Sequence, residues 1–347
     1  MKHAEPNLFA EEERDKKLSK LGDPLEKLYA IDWEIFRSTI ENALERKDVS
    51  KGGRPPYDSI LLFKILILQR LYNLSDDQTE FMINDRITFM RFLGLTMSDK
   101  VPDAKTIWFY RDTLSKKNAA KNLFKKFDEQ IQKSGLVTHE GTLIDATFAE
   151  APRQRNSADE NKAIKKGEIP EDWKKDDEKT KHKVCQKDTD ARWTKKRGET
   201  HYGYKNHVKV DADSKVITDY SVTDAAVHDS KRFLGFIKEG EDKKVYADSA
   251  YKSNEMEKKV KEMGVEYSVC ERPYRNKPLT KEQKERNRKL SKVRSRVEHG
   301  DRLYERGNER LKDQEHRNVK GKVQHRTFES CVQYVQVFYA DCGIGVP

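Results

Sequence analysis

The stretch Thr142-Leu-Ile-Asp-Ala-Thr-Phe148 decides the fold, because there the hydrophobic period changes from helical to strand-like. Asp145 stands inside this otherwise apolar run, where a carboxylate costs solvation free energy unless it gains a cation or hydrogen-bond donors. Two further acids share that character. Asp248 follows the apolar run in Lys244-Val-Tyr-Ala-Asp-Ser-Ala-Tyr251, and Glu298 lies in Arg294-Ser-Arg-Val-Glu-His299, within a long basic stretch of helical pattern.

Working outward from Thr142, strands are expected over 201–210 and 215–222, joined by a turn at Asp211-Ala-Asp-Ser214. A helix over 229–238, a strand over 244–247, a helix over 253–263, a strand over 265–270 and a long helix over about 280–298 follow. This order implies an α/β fold with a mixed sheet flanked by helices, an antiparallel meander continued by parallel crossovers. In a right-handed arrangement the first and fourth strands become neighbours, so Asp145 and Asp248 approach across a separation of 248 − 145 = 103 residues. Glu298, on the closing helix, is expected to complete the cluster.

Upstream, residues 25–133 read as helices, with Ser59-Ile-Leu-Leu-Phe-Lys-Ile-Leu-Ile-Leu-Gln-Arg-Leu-Tyr72 apolar nearly all round, as a buried helix would be. Ser75 and Asp103 carry helix-start signatures, and a joint containing Gly94 is compatible with a helix-turn-helix DNA reader or with an ordinary all-helical module. Residues 151–200 are polar and charged, with Trp173 and Trp193 as their large aromatics. They read as an inserted, partly disordered loop with a short helix near 171–181, serving as a solvent spacer or a DNA clamp. The expected organisation is an all-α N-terminal domain over 1–140, a catalytic domain over 141–299 and an atypical tail over 300–347.

The chain has 347 residues, a net charge of +10 and a pI of about 9.1, which favours polyanionic partners. Residues 272–296 hold eleven Lys or Arg and two Glu, so 11 − 2 = +9 is concentrated in one short window abutting Glu298. The four cysteines (Cys185, Cys270, Cys331 and Cys342) lack C-x-x-C spacing, which argues against a disulfide framework or a zinc cluster. No leader-like apolar region opens the chain and no run is long enough to span a membrane, so a soluble protein of the reducing cytoplasm is expected.

Two Asp and one Glu supply hard oxygen donors of the kind a dinuclear magnesium site uses in phosphoryl transfer, with no nucleophilic side chain required. The contexts of these acids resemble those of bacterial insertion-sequence transposases of the DDE class, closest to the insertion-sequence-five family. The likeness rests on Ile144-Asp-Ala-Thr147, Tyr246-Ala-Asp-Ser-Ala-Tyr251 and Arg294-x-x-x-Glu298. It extends to His201-Tyr-Gly-Tyr-Lys-Asn-His207, Val227-His-Asp229, Gly53-Arg-Pro-Pro-Tyr57, Phe92-Leu-Gly-Leu95 and Pro102-Asp103, covering about residues 50–299.

The resemblance implies an RNase H-like catalytic domain behind a helical domain that recognises terminal inverted repeats. It implies catalytic and metal-ligating roles for Asp145, Asp248 and Glu298, with Mg2+, or Mn2+ in its place. The expected reaction is hydrolysis at the transposon end followed by joining of the freed 3′-hydroxyl to target DNA. Arg294, Arg296, Lys205, Tyr251 and Arg153 are the expected DNA contacts, and a homodimer on DNA, nucleoid-associated in a bacterial cytoplasm, is the expected assembly. An RNase H-like nuclease without joining activity and a non-catalytic DNA-binding regulator are the alternatives.

The chain departs from the family pattern at Ser291 and Glu305, where a Tyr and a Lys are usual. Beyond His299, Gly300-Asp-Arg-Leu-Tyr-Glu-Arg-Gly-Asn-Glu-Arg-Leu311 is charged where the family is apolar. A one-base slip in the gene would account for such a tail and leave this copy inactive despite its three acids; a divergent but genuine helical tail is the alternative.

Overall fold

The computed structural model of the chain describes residues 10–295 apart from 24, 46–54, 136, 152–154, 176, 186, 197 and 274–277. The helices α1 (Ala10–Leu21), α2 (Arg37–Leu44), α3 (Ser59–Leu71), α4 (Asp76–Asp85), α5 (Ile87–Leu93), α6 (Ala104–Lys116) and α7 (Ala119–Lys133) precede the first strand. Helix α3 is the bundle's centre, burying Phe63, Ile65, Leu66, Ile67 and Leu68 among its neighbours, as its nearly uniform hydrophobicity requires. Burying each such side chain contributes roughly 1.5–3 kcal/mol over leaving it exposed.

Short polar side chains set where these helices begin. The Asp58 carboxylate accepts from the N–H groups of Ile60 and Leu61 at 2.9 and 3.0 Å, and Asp103 accepts from Thr106 at 2.7 Å. Ser75 and Gln78 form a reciprocal capping box at the start of α4. Arg111 of α6 donates through both terminal nitrogens to Asp76 of α4, at 2.7 and 2.9 Å, tying the bundle together. The joint after α5 does turn at Gly94, in a left-handed conformation, but continues to Asp103 before α6 begins. A helix-turn-helix uses a turn of about 3–4 residues, so this joint is not one.

The sheet comprises β1 (Thr142–Glu150), β2 (Arg192–Lys196), β3 (Glu199–Asp211), β4 (Ile217–Asp224), β5 (Lys244–Ala247) and β6 (Glu266–Val269). Its order is β2-β3-β1-β5-β6, with β4 also paired to β3. β3 runs antiparallel to β1, β2 and β4, whereas β1, β5 and β6 run parallel to one another. Helices α10 (Ser230–Phe236) and α11 (Asn254–Glu262) make the crossovers, and α12 (Lys281–Ser295) closes the described chain.

The two faces of the sheet are both covered. Leu143, Val208 and Val210 join the hydrophobic cluster of the N-terminal helices, where Phe124 of α7 meets Tyr220 of β4 edge-on at 4.9 Å. Ile144, Val245 and Ala247 face the other way, into a cluster with Phe233, Phe236 and Val260. Double coverage explains why β3 is buried continuously from Tyr202 to Asp211 instead of alternately.

The segment 151–200 is more ordered than its composition implies. It carries α8 (Ala158–Lys165), α9 (Glu178–Cys185) and strand β2, which lengthens the sheet. Its aromatics are anchors: the Trp193 indole donates to the Asn156 carbonyl at 2.8 Å, and the Trp173 indole to Glu160 at 2.7 Å. Lys187 completes this small polar core with a buried ion pair to Glu160. That lysine, the Trp173 indole and the backbone N–H of Ser157 outweigh burial and hold the Glu160 carboxyl down at about 2.

Candidate functional site

Parallel pairing of β1 and β5 creates the site. The register matches Thr142 with Val245, Leu143 with Tyr246 and Ile144 with Ala247, so Asp145 and Asp248 are the next residues on each side. Neighbouring strands lie about 4.8 Å apart, and residues in parallel register point to the same face. Asp248 keeps extended backbone angles (φ −71°, ψ 163°) as it leaves β5, and caps a single 3-10 turn, Ser249–Tyr251. Its Oδ1 accepts from the Ser249 N–H at 2.6 Å, while Asp145 Oδ1 accepts from the Ala146 N–H at 2.8 Å.

Helix α12 reaches this point from outside. Leu290 is buried, and Asn287 exchanges hydrogen bonds with the backbone of Glu271, its Oδ1 accepting at 2.8 Å and its Nδ2 donating at 3.0 Å. So anchored, the helix brings Arg294 Nη1 to 3.4 Å from Asp248 Oδ1. The Asp248 side chain is 43% exposed and that of Arg294 17% exposed, so the acid is open to an incoming ligand while the arginine beside it is largely covered. Lys281, Lys284, Arg286, Arg288, Lys289 and Lys292 of the same helix are exposed, extending positive potential away from the acids.

Lys205 and Tyr251, expected as DNA contacts, are interior side chains. Lys205 is 8% exposed; its ammonium donates to the Val227 carbonyl at 2.8 Å, sits 2.9 Å from Asp229 Oδ1 and lies over the Phe148 ring at 5.5 Å. The contact with Asp229 is an ion pair not aligned as a hydrogen bond. Tyr251 is 2% exposed, packed against Phe233 at 5.1 Å. Burial pushes its hydroxyl well up, reinforced by the charges of Asp229, Asp145 and Asp248 and opposed by Arg294. Glu298, Arg296 and Arg153 lie outside the described residues, as does the tail.

His207, within β3 of the same sheet, is 1% exposed and shares a hydrogen bond with the Thr223 hydroxyl at 2.9 Å. Burial pushes its imidazole down to about 4, so it is neutral at neutral pH and structural in role. The residue that sequence reading passed over is Asp229, quoted only as part of Val227-His-Asp229. No local signal joined that motif to Lys205, since β4 lies between them in the chain and only folding brings the two into an ion pair.

Asp145, inside β1, and Asp248, just past the end of β5, are hard oxygen donors placed side by side, which suits a divalent cation. Among the described residues no group of three or more His, Cys, Asp or Glu is arranged to hold a metal ion. The third expected ligand is Glu298, four positions after Arg294 and outside those residues. No helix among the described residues is long and apolar enough to cross a membrane.

Two family models match the chain. Residues 12–113 match the family described as "Transposase domain (DUF772)", and residues 137–316, more than half of the chain, match "Transposase DDE domain". No solved structure matches.

Proposed function

The chain belongs to the transposase DDE domain family, and from that premise we propose that it cuts DNA at the ends of a mobile element and joins the freed 3′-hydroxyl to target DNA. The observation that carries this reading is the β1–β5 register, which sets Asp145 beside Asp248 although 103 residues separate them. The family implies a divalent metal, typically Mg2+. In this reading Asp145, Asp248 and Glu298 would hold the ions of a two-metal site, which would stabilise negative charge on the phosphate.

What the chain itself does follows from its own groups. Arg294 offsets the negative charge of Asp248 and, with Arg296, Arg153 and the exposed bases of α12, orients the phosphate backbone. Lys205 and Tyr251 hold the fold around the acids from within, Lys205 through Asp229 and Tyr251 through its packing on Phe233. The N-terminal helices serve recognition of the terminal inverted repeats, and two copies of the chain bring two ends together. The strand order β4-β3-β1-β5-β6, with its antiparallel meander and parallel continuation, supports an RNase H-like catalytic fold.

Asp145→Ala and Asp248→Ala test the reading against DNA bearing the element's ends. Both variants are expected to bind those ends as the unaltered protein does and to lose cleavage. Supplying precut ends with free 3′-hydroxyls should give joined products with the unaltered protein alone; products that are cut but never joined would make the protein a nuclease instead. Undiminished cleavage by either variant would remove the acids from the chemistry.

A further inference from the structure

Segment 151–200 holds a polar core whose side chains are buried more completely than they are paired. Asn156, Asn161 and Asp188 are 1%, 6% and 2% exposed. Among the described residues, Asn156 Oδ1, Asp188 Oδ2 and both amide atoms of Asn161 are shielded from solvent and make no hydrogen bond. Whichever way the Asn161 amide is turned, its oxygen is left over. Folded proteins seldom leave such atoms unpaired, so a cluster of them in one small core points to a ligand.

The three residues are neighbours. Ser157 is the N-cap of α8, so Asn156 and Asn161 hold the two positions, one before the cap and four after it, whose side chains meet across a first turn and are usually apolar. Asn156 Nδ2 donates to the Asp188 carbonyl at 2.6 Å, and the Tyr202 hydroxyl donates to the same carbonyl at 3.0 Å. Asp188 Oδ1 accepts from the Tyr204 hydroxyl at 2.7 Å and from the Asp190 and Ala191 N–H groups at 3.0 and 3.1 Å, which leaves Oδ2 unserved.

Charge selects the ligand. Lys187, the adjacent cation, is committed to Glu160, its Nζ lying 2.7 and 2.5 Å from the two carboxylate oxygens. Asp188 forms no ion pair among the described residues, so the core carries one negative charge without a counter-charge, which is costly in a closed interior. Water would serve the amides and leave that charge standing. One carboxylate and two amide carbonyls are instead hard donors that balance a single positive charge.

We propose that Asn156, Asn161 and Asp188 bind a monovalent metal cation, Na+ or K+, which ties α8 to the loop before β2 and so holds segment 151–200 on the sheet. The site is separate from the Asp145–Asp248 pair. Tyr204 lies opposite Ala149 in the β1–β3 ladder, and four residues of strand, about 13 Å, separate Ala149 from Asp145.

The test melts the full chain, free of DNA and divalent ions, in NaCl, KCl and tetramethylammonium chloride at equal ionic strength. The unaltered protein is expected to melt at least about 2 °C higher in one or both metal salts, and the salt giving the greater gain identifies the ion. That gain should vanish in Asn161→Ala, which gives up no side-chain hydrogen bond to the protein, and in Asp188→Asn. Equal melting of the unaltered protein in all three salts overturns the inference, as does a gain that survives in Asn161→Ala. An Asn161→Ala variant more stable than the unaltered protein in every salt also overturns it, being the result expected of a core that holds water alone. Thallium magnetic resonance reads binding directly, with Tl+ standing in for K+: a bound signal should persist in Asp145→Ala and be missing from Asn161→Ala. The reverse pattern would assign the ion to the strand-end acids and overturn the inference. Should both core variants fail to fold, the three-salt comparison and the Tl+ signal of Asp145→Ala decide the matter on their own.

Discussion

At the scale of single residues, burial decides what each ionisable group near the site does. His207 carries its proton less readily in the fold, at about 4, than in the open chain, where an imidazole titrates near 6.5. Between those values the unfolded state binds more protons, so stability rises with pH there and is lost as pH falls from 6.5 toward 4, by about 1.4 kcal/mol per unit. Burial pushes the carboxyls of Asp128 and Asp219 up, which changes stability in the opposite sense but equally in any His207 variant. Urea unfolding of the unaltered protein and of His207→Gln across this range should therefore differ by a slope of that size, roughly 3 kcal/mol over the window. Parallel curves would show that the imidazole is already accessible. The identities of Asp145 and Asp248 were legible from sequence because each interrupts or ends an apolar run. The interior placement of Lys205 was not, because its partner Asp229 arrives from a different element.

At the scale of elements, β3 is the organiser, pairing with β1, β2 and β4 along thirteen residues. Gly203 makes this dense pairing feasible: with φ at +151°, a Cβ there would lie 2.3 Å from the Ala149 carbonyl oxygen and 2.6 Å from the Ala151 nitrogen. Neither backbone atom can yield without breaking the β1–β3 ladder. Gly203→Ala is expected to destabilise the fold by about 3 kcal/mol, measured by denaturant unfolding, whereas a loss below about 0.5 kcal/mol would mean the ladder yields locally.

The element order from Thr142 onward followed from periodicity and turn residues, and the strand over 244–247 lies where its pattern puts it. Strand β2 escaped notice because Arg192-Trp-Thr-Lys-Lys196 shows no apolar alternation; it forms because β3 offers it an edge and Trp193 packs on Tyr202 at 4.8 Å. The Gly94 joint misled for the opposite reason. A correct local signal, a glycine ending a helix, does not fix how long the following connection runs.

At the scale of the whole molecule, the sheet gathers carboxylates that the chain keeps far apart, and its basic closing helix supplies the charge to hold a polyanion beside them. The N-terminal bundle packs on the same face as Leu143 and Tyr246, so helical and sheet portions share one hydrophobic cluster instead of meeting through a linker. That continuity is invisible in a one-dimensional reading, where the change of period at Thr142 looks like a clean division.

The central claim is that Asp145 and Asp248 bind one divalent centre, and iron-directed backbone cleavage tests it most directly. Fe2+ substituted for Mg2+, with ascorbate and peroxide, generates hydroxyl radicals that cut the nearest polypeptide, and mass spectrometry locates the cuts. Cleavage beside both Asp145 and Asp248 in the same molecule, abolished by Asp145→Asn and by excess Mg2+, is the predicted result. Cuts scattered along the chain, or cuts near Asp248 that persist in Asp145→Asn, would contradict it.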